Sequence, residues 1–152
     1  MPMAIYRHFD GVEALRAALR SRGSARLMRA FEDALAEPDA RARLEASARQ
    51  YVRWARENPA LFRMLFTGGP PEREAAAAVE VRRDAAMFRF LVDRMREGID
   101  AGLLAAGDPE QRAIDWWALF HGLVWLQQEG KLRLEPSQFD SHVDSTLRWL
   151  LG

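Results

Sequence analysis

His121 is one of the few side chains in this 152-residue sequence with the chemistry to bind a small molecule. It follows Trp117 by one helical turn, in a stretch that is apolar on nearly every side. An imidazole in such a place can be a metal ligand, a general base, a hydrogen-bond donor to a ligand, or a structural residue that bonds to a carbonyl. The other histidines, His8 and His142, do not give the spacing of a metal site. The sequence therefore predicts no metal ion.

Methionine and aromatic side chains are frequent in the chain and leave two interpretations open. Such residues fill ordinary cores, and they also line adaptable apolar ligand pockets. If a pocket exists, two polar groups among apolar walls favour a small hydrophobic or aromatic effector over a sugar or a nucleotide. The residues predicted to line this pocket are Tyr51, Trp54, Phe62, Met87, Leu91, Trp117 and His121.

Signatures of catalysis are missing from the sequence. There is no Gly-x-Ser-x-Gly motif, no phosphate-binding loop and no dinucleotide fingerprint. The chain has no cysteine, which excludes disulfides and thiolate chemistry. Its acidic residues stand beside arginines on polar helical faces, as solvated ion pairs do. We expect a protein that is not an enzyme and that needs no cofactor.

The charge of the chain is balanced overall but uneven along its length. The formal net charge is zero, which argues against nucleic-acid binding by bulk electrostatics. Residues 1–30 carry six arginines against Asp10 and Glu13, a local charge of about +4 that would face DNA. The arginines of residues 1–30 could instead reflect codon bias, because almost every basic residue of the chain is arginine and Lys131 is the single lysine. No signal peptide or membrane-length apolar run is visible, so we expect a soluble, cytoplasmic protein without a membrane partner.

Proline, glycine and capping residues divide the chain into helices, with no alternating β-type segment of useful length. Residues 11–36 carry apolar side chains at four-residue spacing, and Gly23 is expected to mark a bend. Pro38 and Asp39 are predicted to start the next helix, and Asp108 and Ser137 are predicted to cap two later ones. The predicted helices cover residues 11–36, 39–58, 59–66, about 72–102, 109–128 and 137–151.

The helix predicted from Pro109 to Gln128 is apolar nearly all round, so several of its sides need cover. Either the helix lies at the centre of the bundle, or one side faces a second subunit. An exposed patch of tryptophan and leucine would favour association, so we predict a homodimer. The residues assigned to its interface are Leu119, Gly122, Leu126, Val143 and Trp149.

The first fifteen residues carry a motif of Tyr6, His8, Phe9, Glu13 and Leu15. It resembles the end of the DNA-recognition helix of TetR-type regulators, running into the connecting helix. A Tyr-x-His pair near a frayed terminus is otherwise unremarkable. The resemblance implies that the side chains in contact with DNA are Pro2, Met3, Tyr6 and His8.

This first motif departs from the family pattern in two ways. Val12 stands where the family usually has a lysine, and the two preceding helices are missing because the chain begins at Met1. We therefore interpret residues 1–10 as a remnant of the recognition helix and residues 11–152 as a ligand-binding and dimerisation domain.

A second resemblance lies towards the end of the chain. The stretch from Trp117 to His121 and Gly122 is similar to the Trp…His-Gly signature of one TetR subgroup, the WHG type, as is the segment 51–66. Together the motifs imply an all-α, TetR-like regulatory helical bundle that forms a homodimer. They imply a ligand-responsive repressor that binds operator DNA in a full-length form. The alternative is a dimeric helical module that binds small molecules and does not bind DNA.

Overall fold

The computed structural model describes residues 11–66 and 86–152, and all regular elements in these ranges are helical. The predicted all-α fold is therefore confirmed. Tyr6, His8 and Phe9 of the N-terminal motif and the first half of the helix predicted from residue 72 lie outside the described residues. The elements are α1 (Val12–Asp33), a 3₁₀ turn (Ala34–Ala36), α2 (Ala40–Glu57), α3 (Pro59–Phe66), α4 (Ala86–Asp100), α5 (Pro109–Gln128) and α6 (Pro136–Leu151).

The starts of three helices follow from capping chemistry. Asp39 caps α2 by accepting from the N–H of Ala42 at 2.8 Å, and Asp108 caps α5 by accepting from the N–H of Glu110 at 2.9 Å. The cap at Asp108 was predicted, and so was the start of a helix at Asp39. The prediction of Ser137 as the cap of α6 was wrong.

Helix α6 begins at Pro136, and Glu135 is its N-cap. Glu135 and Gln138 form a reciprocal capping box, in which the N–H of Glu135 donates to Oε1 of Gln138 at 2.9 Å. Proline favours the first helical position because it has no N–H to satisfy there. That preference puts the cap at the residue before Pro136, two positions ahead of Ser137.

One apolar core joins all six helices. Helix α5 contributes a buried face along its whole length, and α1, α2, α4 and α6 pack their own apolar faces towards the same interior. The largest side chains that are almost fully buried come from all six helices: Phe31, Phe62, Phe120, Phe139, Leu27, Leu44, Met95 and Leu147.

Gly23 allows α3 to approach the middle of α1 closely. Helix α1 continues through this glycine, so Gly23 interrupts the apolar stripe without ending the helix. A Cβ atom at this position would lie 3.4 Å from Cδ1 of Leu65 and 3.6 Å from Cδ2 of Leu61, both on α3. These distances are ordinary van der Waals contacts, so Gly23 lies in the packing surface between the two helices; the bend stays a prediction.

Helices α2 and α6 run antiparallel and are joined by ion pairs as well as by the core. Arg49 on α2 bonds to Asp144 at 3.1 Å, and Arg56 bonds to Asp140 at 2.6 Å. Exposed pairs of this kind contribute about 0–1 kcal/mol each. Burial of the Phe139 side chain of α6 therefore holds that helix more strongly than its charges do.

Candidate functional site

A chain of hydrogen bonds connects three of the side chains singled out from the sequence. The indole N–H of Trp117 donates to the hydroxyl oxygen of Tyr51 at 3.2 Å. The same hydroxyl lies 2.8 Å from Nδ1 of His121. Helix α5 supplies Trp117 and His121 from successive turns of one face, and α2 supplies Tyr51 from across the core. Residues separated by 70 positions in the chain thus meet at one place.

Burial keeps both titratable members of this chain uncharged. It lowers the pKa of His121 and raises the pKa of Tyr51, with the bond from Trp117 opposing the second effect in part. The Tyr51 hydroxyl carries one hydrogen, and among the described residues Nδ1 of His121 is the acceptor within its reach, so we assign the phenolic hydrogen to that bond. A neutral imidazole that accepts at Nδ1 carries its proton on Nε2. The network therefore prepares Nε2–H of His121 as a hydrogen-bond donor.

Aromatic rings surround the imidazole of His121 on several sides. The Phe62 ring stacks on it at 4.8 Å between centroids, and the Phe66 ring meets it edge-on at the same distance. The Trp125 ring lies nearly parallel to it at 6.4 Å, one turn further along α5. We call His121, Tyr51, Phe62, Phe66, Trp117 and Trp125 the His121 cluster.

The structure brings together four of the seven residues predicted to line a pocket, namely Tyr51, Phe62, Trp117 and His121. Leu91 lies beside them, where it lines a small internal cavity with Tyr51 and Trp117. Trp54 and Met87 pack into or against the core, and neither is in ring contact with His121 among the described residues. Their place in the lining of a pocket stays a prediction.

The internal cavity next to Tyr51 is about 10 Å³ in volume. A space of that size holds about one water molecule, whereas pockets for drug-sized ligands measure about 300–1,000 Å³. An effector of ordinary size would have to displace side chains to occupy this place. Cluster and cavity together form a densely packed apolar site with a few fixed polar groups.

Phe66 and Trp125 belong to the His121 cluster, although neither was among the predicted pocket residues. Trp125 follows His121 by four positions, as His121 follows Trp117, so the three share one face of α5. This spacing was visible in the sequence. Phe66 offers no comparable signal, because its contact depends on how α3 packs against α5.

A larger cleft, about 550 Å³ in volume, lies between α2 and α6. It opens to the solvent, and the pairs Arg49–Asp144 and Arg56–Asp140 cross it. Val143 lines this cleft and is only 3% exposed. The prediction of Val143 as a dimer contact is therefore corrected, because the side chain is already covered within its own chain.

Apolar side chains also lie on the outer surface of α5 and α6. On α5 the exposed fractions are 48% for Ile114, 38% for Leu119 and 42% for Leu126, while Trp149 on α6 is 77% exposed. A Cβ atom added to Gly122 would meet no atom within 4 Å, so the centre of this surface is open. We call Ile114, Leu119, Gly122, Leu126 and Trp149 the outer apolar face. It includes four of the five predicted interface residues.

Neither a metal site nor a membrane span occurs in residues 11–66 and 86–152. No three histidine or acidic side chains in these ranges come together in a way that could hold a metal ion. None of the helices is both long enough and apolar enough to cross a membrane.

Comparison with known proteins agrees with this architecture. Residues 44–150 match the family described as "Tetracyclin repressor-like, C-terminal domain". A protein of unknown function from Rhodococcus sp. RHA1 is 31% identical, with a TM-score of 0.75, and the match covers 95% of this chain and 76% of that one.

A second solved structure, a bacterial regulatory protein of the tetR family from Rhodococcus RHA1, is 21% identical, with a TM-score of 0.72. It matches over 99% of this chain and 80% of its own length, and it shows the shared fold. None of the curated proteins matches this chain. Because the family match covers more than half of the sequence, the chain belongs to the family of tetracyclin repressor-like C-terminal domains and is a TetR-type transcriptional regulator.

Proposed function

We propose that this chain is the regulatory part of a ligand-responsive, homodimeric TetR-type repressor whose effector binds at the His121 cluster. The observation that carries the proposal is the hydrogen-bond chain from Trp117 through Tyr51 to His121 inside a ring of aromatic side chains. It fixes one donor, Nε2–H of His121, in an apolar setting. Such a site suits a small, flat, hydrophobic molecule that carries one hydrogen-bond acceptor.

The packing of α3 supports a route from this site to α1. Phe62 and Phe66 on α3 contact the His121 ring, and Leu61 and Leu65 on the same short helix pack beside Gly23 of α1. A ligand that displaces the phenylalanine rings would therefore move the helix that is seated on α1. For repression to be released, the effector must bind better to the arrangement that does not bind DNA.

Binding at the cluster is tested by titrating hydrophobic aromatic compounds against intrinsic tryptophan fluorescence. We expect saturable changes with the wild type and loss of binding with His121→Ala, while His142→Ala serves as the matched control on the exposed part of α6. Trp117→Ala should also abolish binding. Equal binding by the wild type and by a cooperatively melting His121→Ala variant would refute the site.

Dimerisation through the outer apolar face is the second part of the proposal. A patch that includes Leu126 and Trp149 is costly to leave in water, and the open space at Gly122 would let a partner helix approach closely. Sedimentation of a Leu126→Glu, Trp149→Glu variant should show monomers. Leu35→Glu is the control, because Leu35 is similarly exposed but lies beyond the end of α1. An unchanged dimer in the double variant would place the interface elsewhere.

DNA contact by the N-terminal motif remains a proposal from the sequence. Pro2, Met3, Tyr6 and His8 lie outside the described residues. With Val12 in place of a lysine and no net charge, we expect the 152 residues alone to bind DNA weakly and without sequence preference. Nanomolar, sequence-specific binding at physiological salt would contradict this expectation. A ligand-binding helical module that does not bind DNA at all is the rival function, and it predicts no DNA binding even at low salt.

A further inference from the structure

The cleft between α2 and α6, about 550 Å³ in volume, has the size of a small-molecule site and has no part in the proposed function. Its base is apolar, because Val52 of α2 and Val143 of α6 are both buried beneath it. Charged side chains form its walls. We call this place the α2–α6 cleft, and its lining residues are Arg49, Val52, Arg53, Arg56, Glu57, Asp140, Val143 and Asp144.

Two ion pairs neutralise four of the six charged side chains that line the α2–α6 cleft. Arg49 bonds to Asp144, and Arg56 bonds to Asp140. The guanidinium of Arg56 also lies over the Phe139 ring, 5.1 Å from its centroid, which holds it against α6. These pairs connect the two helices at positions about 10.5 Å apart along α2, and they leave little charge for a ligand.

Arg53 and Glu57 are the two remaining charged side chains of the lining, one positive and one negative. Both are exposed, and within residues 11–66 and 86–152 neither side chain makes an ion pair or a hydrogen bond. They lie four positions apart on α2, so their Cβ atoms are about 6 Å apart on one face of the helix. The three arginines and three acidic residues of the lining give no net charge. The cleft therefore offers one cation and one anion to a ligand that is itself neutral overall.

We propose that the α2–α6 cleft binds a zwitterionic α-amino acid with an apolar side chain. The guanidinium of Arg53 donates two parallel bonds to the carboxylate of the ligand, because its forked geometry matches that group. The carboxylate of Glu57 accepts from the ammonium. These two groups of an α-amino acid are about 2.5 Å apart, so long side chains that start about 6 Å apart can converge on both. The apolar side chain of the ligand then covers Val52 and Val143, which form the base of the cleft.

The α2–α6 cleft is separate from the His121 cluster, although α2 contributes to both. Tyr51 of α2 bonds to His121 in the cluster, whereas the next two residues, Val52 and Arg53, line the cleft. The proposed amino-acid site therefore requires neither the effector nor DNA.

The test is isothermal titration calorimetry of the 152-residue chain with L-leucine at concentrations up to about 20 mM. Three related compounds each lack one feature: 4-methylpentanoate lacks the ammonium, 3-methylbutylamine lacks the carboxylate, and glycine lacks the apolar side chain. We expect saturable binding of L-leucine and binding of the other three that is weaker by about tenfold or more. Absence of saturable binding of L-leucine would overturn the proposal, and so would equal binding of 4-methylpentanoate, which would indicate a site for simple carboxylates.

The variants Arg53→Gln and Glu57→Gln each remove one charge and keep most of the side chain. Each should weaken the binding of L-leucine about tenfold, and both should fold, because the two residues are exposed. Arg133→Gln and Glu110→Gln are the matched controls, since both residues are exposed and lie outside the cleft. Unchanged binding by Arg53→Gln, or an equal loss in the control variants, would contradict the assigned contacts.

The variant His121→Ala distinguishes the amino-acid site from the effector site. A His121→Ala protein that melts cooperatively should bind L-leucine as the wild type does. Loss of L-leucine binding in this variant, with unchanged binding in Arg53→Gln, would place the amino acid at the His121 cluster and refute the proposal. Hydrophobic aromatic compounds should bind equally to Arg53→Gln and to the wild type, so failure of the cleft is distinguishable from failure of the effector site.

Discussion

Replacing Tyr51 by phenylalanine tests whether the hydrogen-bond chain of the His121 cluster stabilises the fold. The change removes the hydroxyl that accepts from Trp117 at 3.2 Å and lies 2.8 Å from Nδ1 of His121. Each buried bond is worth about 0.5–1.5 kcal/mol net, so the loss of two should lower the free energy of unfolding by about 2 kcal/mol. Since Tyr51 is almost fully buried, bulk water does not reach the position of its hydroxyl.

The assay is unfolding in urea, followed by circular dichroism. For an m-value of about 2 kcal/mol per M, the midpoint of Tyr51→Phe should fall by about 1 M. The single variant His121→Phe and the double variant complete a thermodynamic cycle, which should give a coupling energy of about 1 kcal/mol. A midpoint shift below about 0.2 M together with strict additivity would refute the argument, because bonds that contribute nothing leave no coupling.

Three further results are expected. Burial lowers the pKa of His121 in the folded state below its ordinary value of about 6.5. The free energy of unfolding of the wild type should therefore fall as the pH drops from about 6.5 through that lower pKa. Urea midpoints measured from pH 8 to 5 should show this fall for the wild type and not for His121→Phe. Phe139→Ala should cost about 3–5 kcal/mol in urea unfolding, because the ring is buried; a loss below 1 kcal/mol would contradict its place in the core. Gly122→Ala should raise subunit stability by about 0.5–1 kcal/mol, since a Cβ meets open space there; a loss measured at concentrations that keep the chain monomeric would contradict that geometry.

Local chemistry explains why most helix boundaries were predictable. Asp39 and Asp108 cap their helices as expected, since a carboxylate next to unsatisfied N–H groups is stabilising in almost any tertiary context. At α6 two local rules competed, and the preference of Pro136 for the first helical position overruled capping by Ser137. Rules of this kind act within one turn of helix.

The candidate site was predictable only in part, because its contacts cross the whole chain. Tyr51 and His121 were singled out for their polar groups in apolar surroundings, but their hydrogen bond depends on how α2 packs against α5. Trp54 was assigned to the lining from its type alone, and the structure places it in the same core as Tyr51. Val143 was assigned to an interface, yet the packing of α6 on α2 covers it. Periodicity identifies a buried face without identifying what covers it.

Gly23, where α3 packs against α1, lies close to the midpoint of α1. Helix α1 can therefore act as a lever that pivots at Gly23. At 1.5 Å per residue, about 16 Å of helix extends to Val12 on one side and about 15 Å to Asp33 on the other. A tilt of α1 by about 5° about Gly23 would displace its Val12 end by about 1.4 Å. An alanine at this position would make ordinary van der Waals contact with α3, whereas a side chain longer than Cβ would have to displace Leu61 or Leu65 and so change the angle between α1 and α3 before any effector binds.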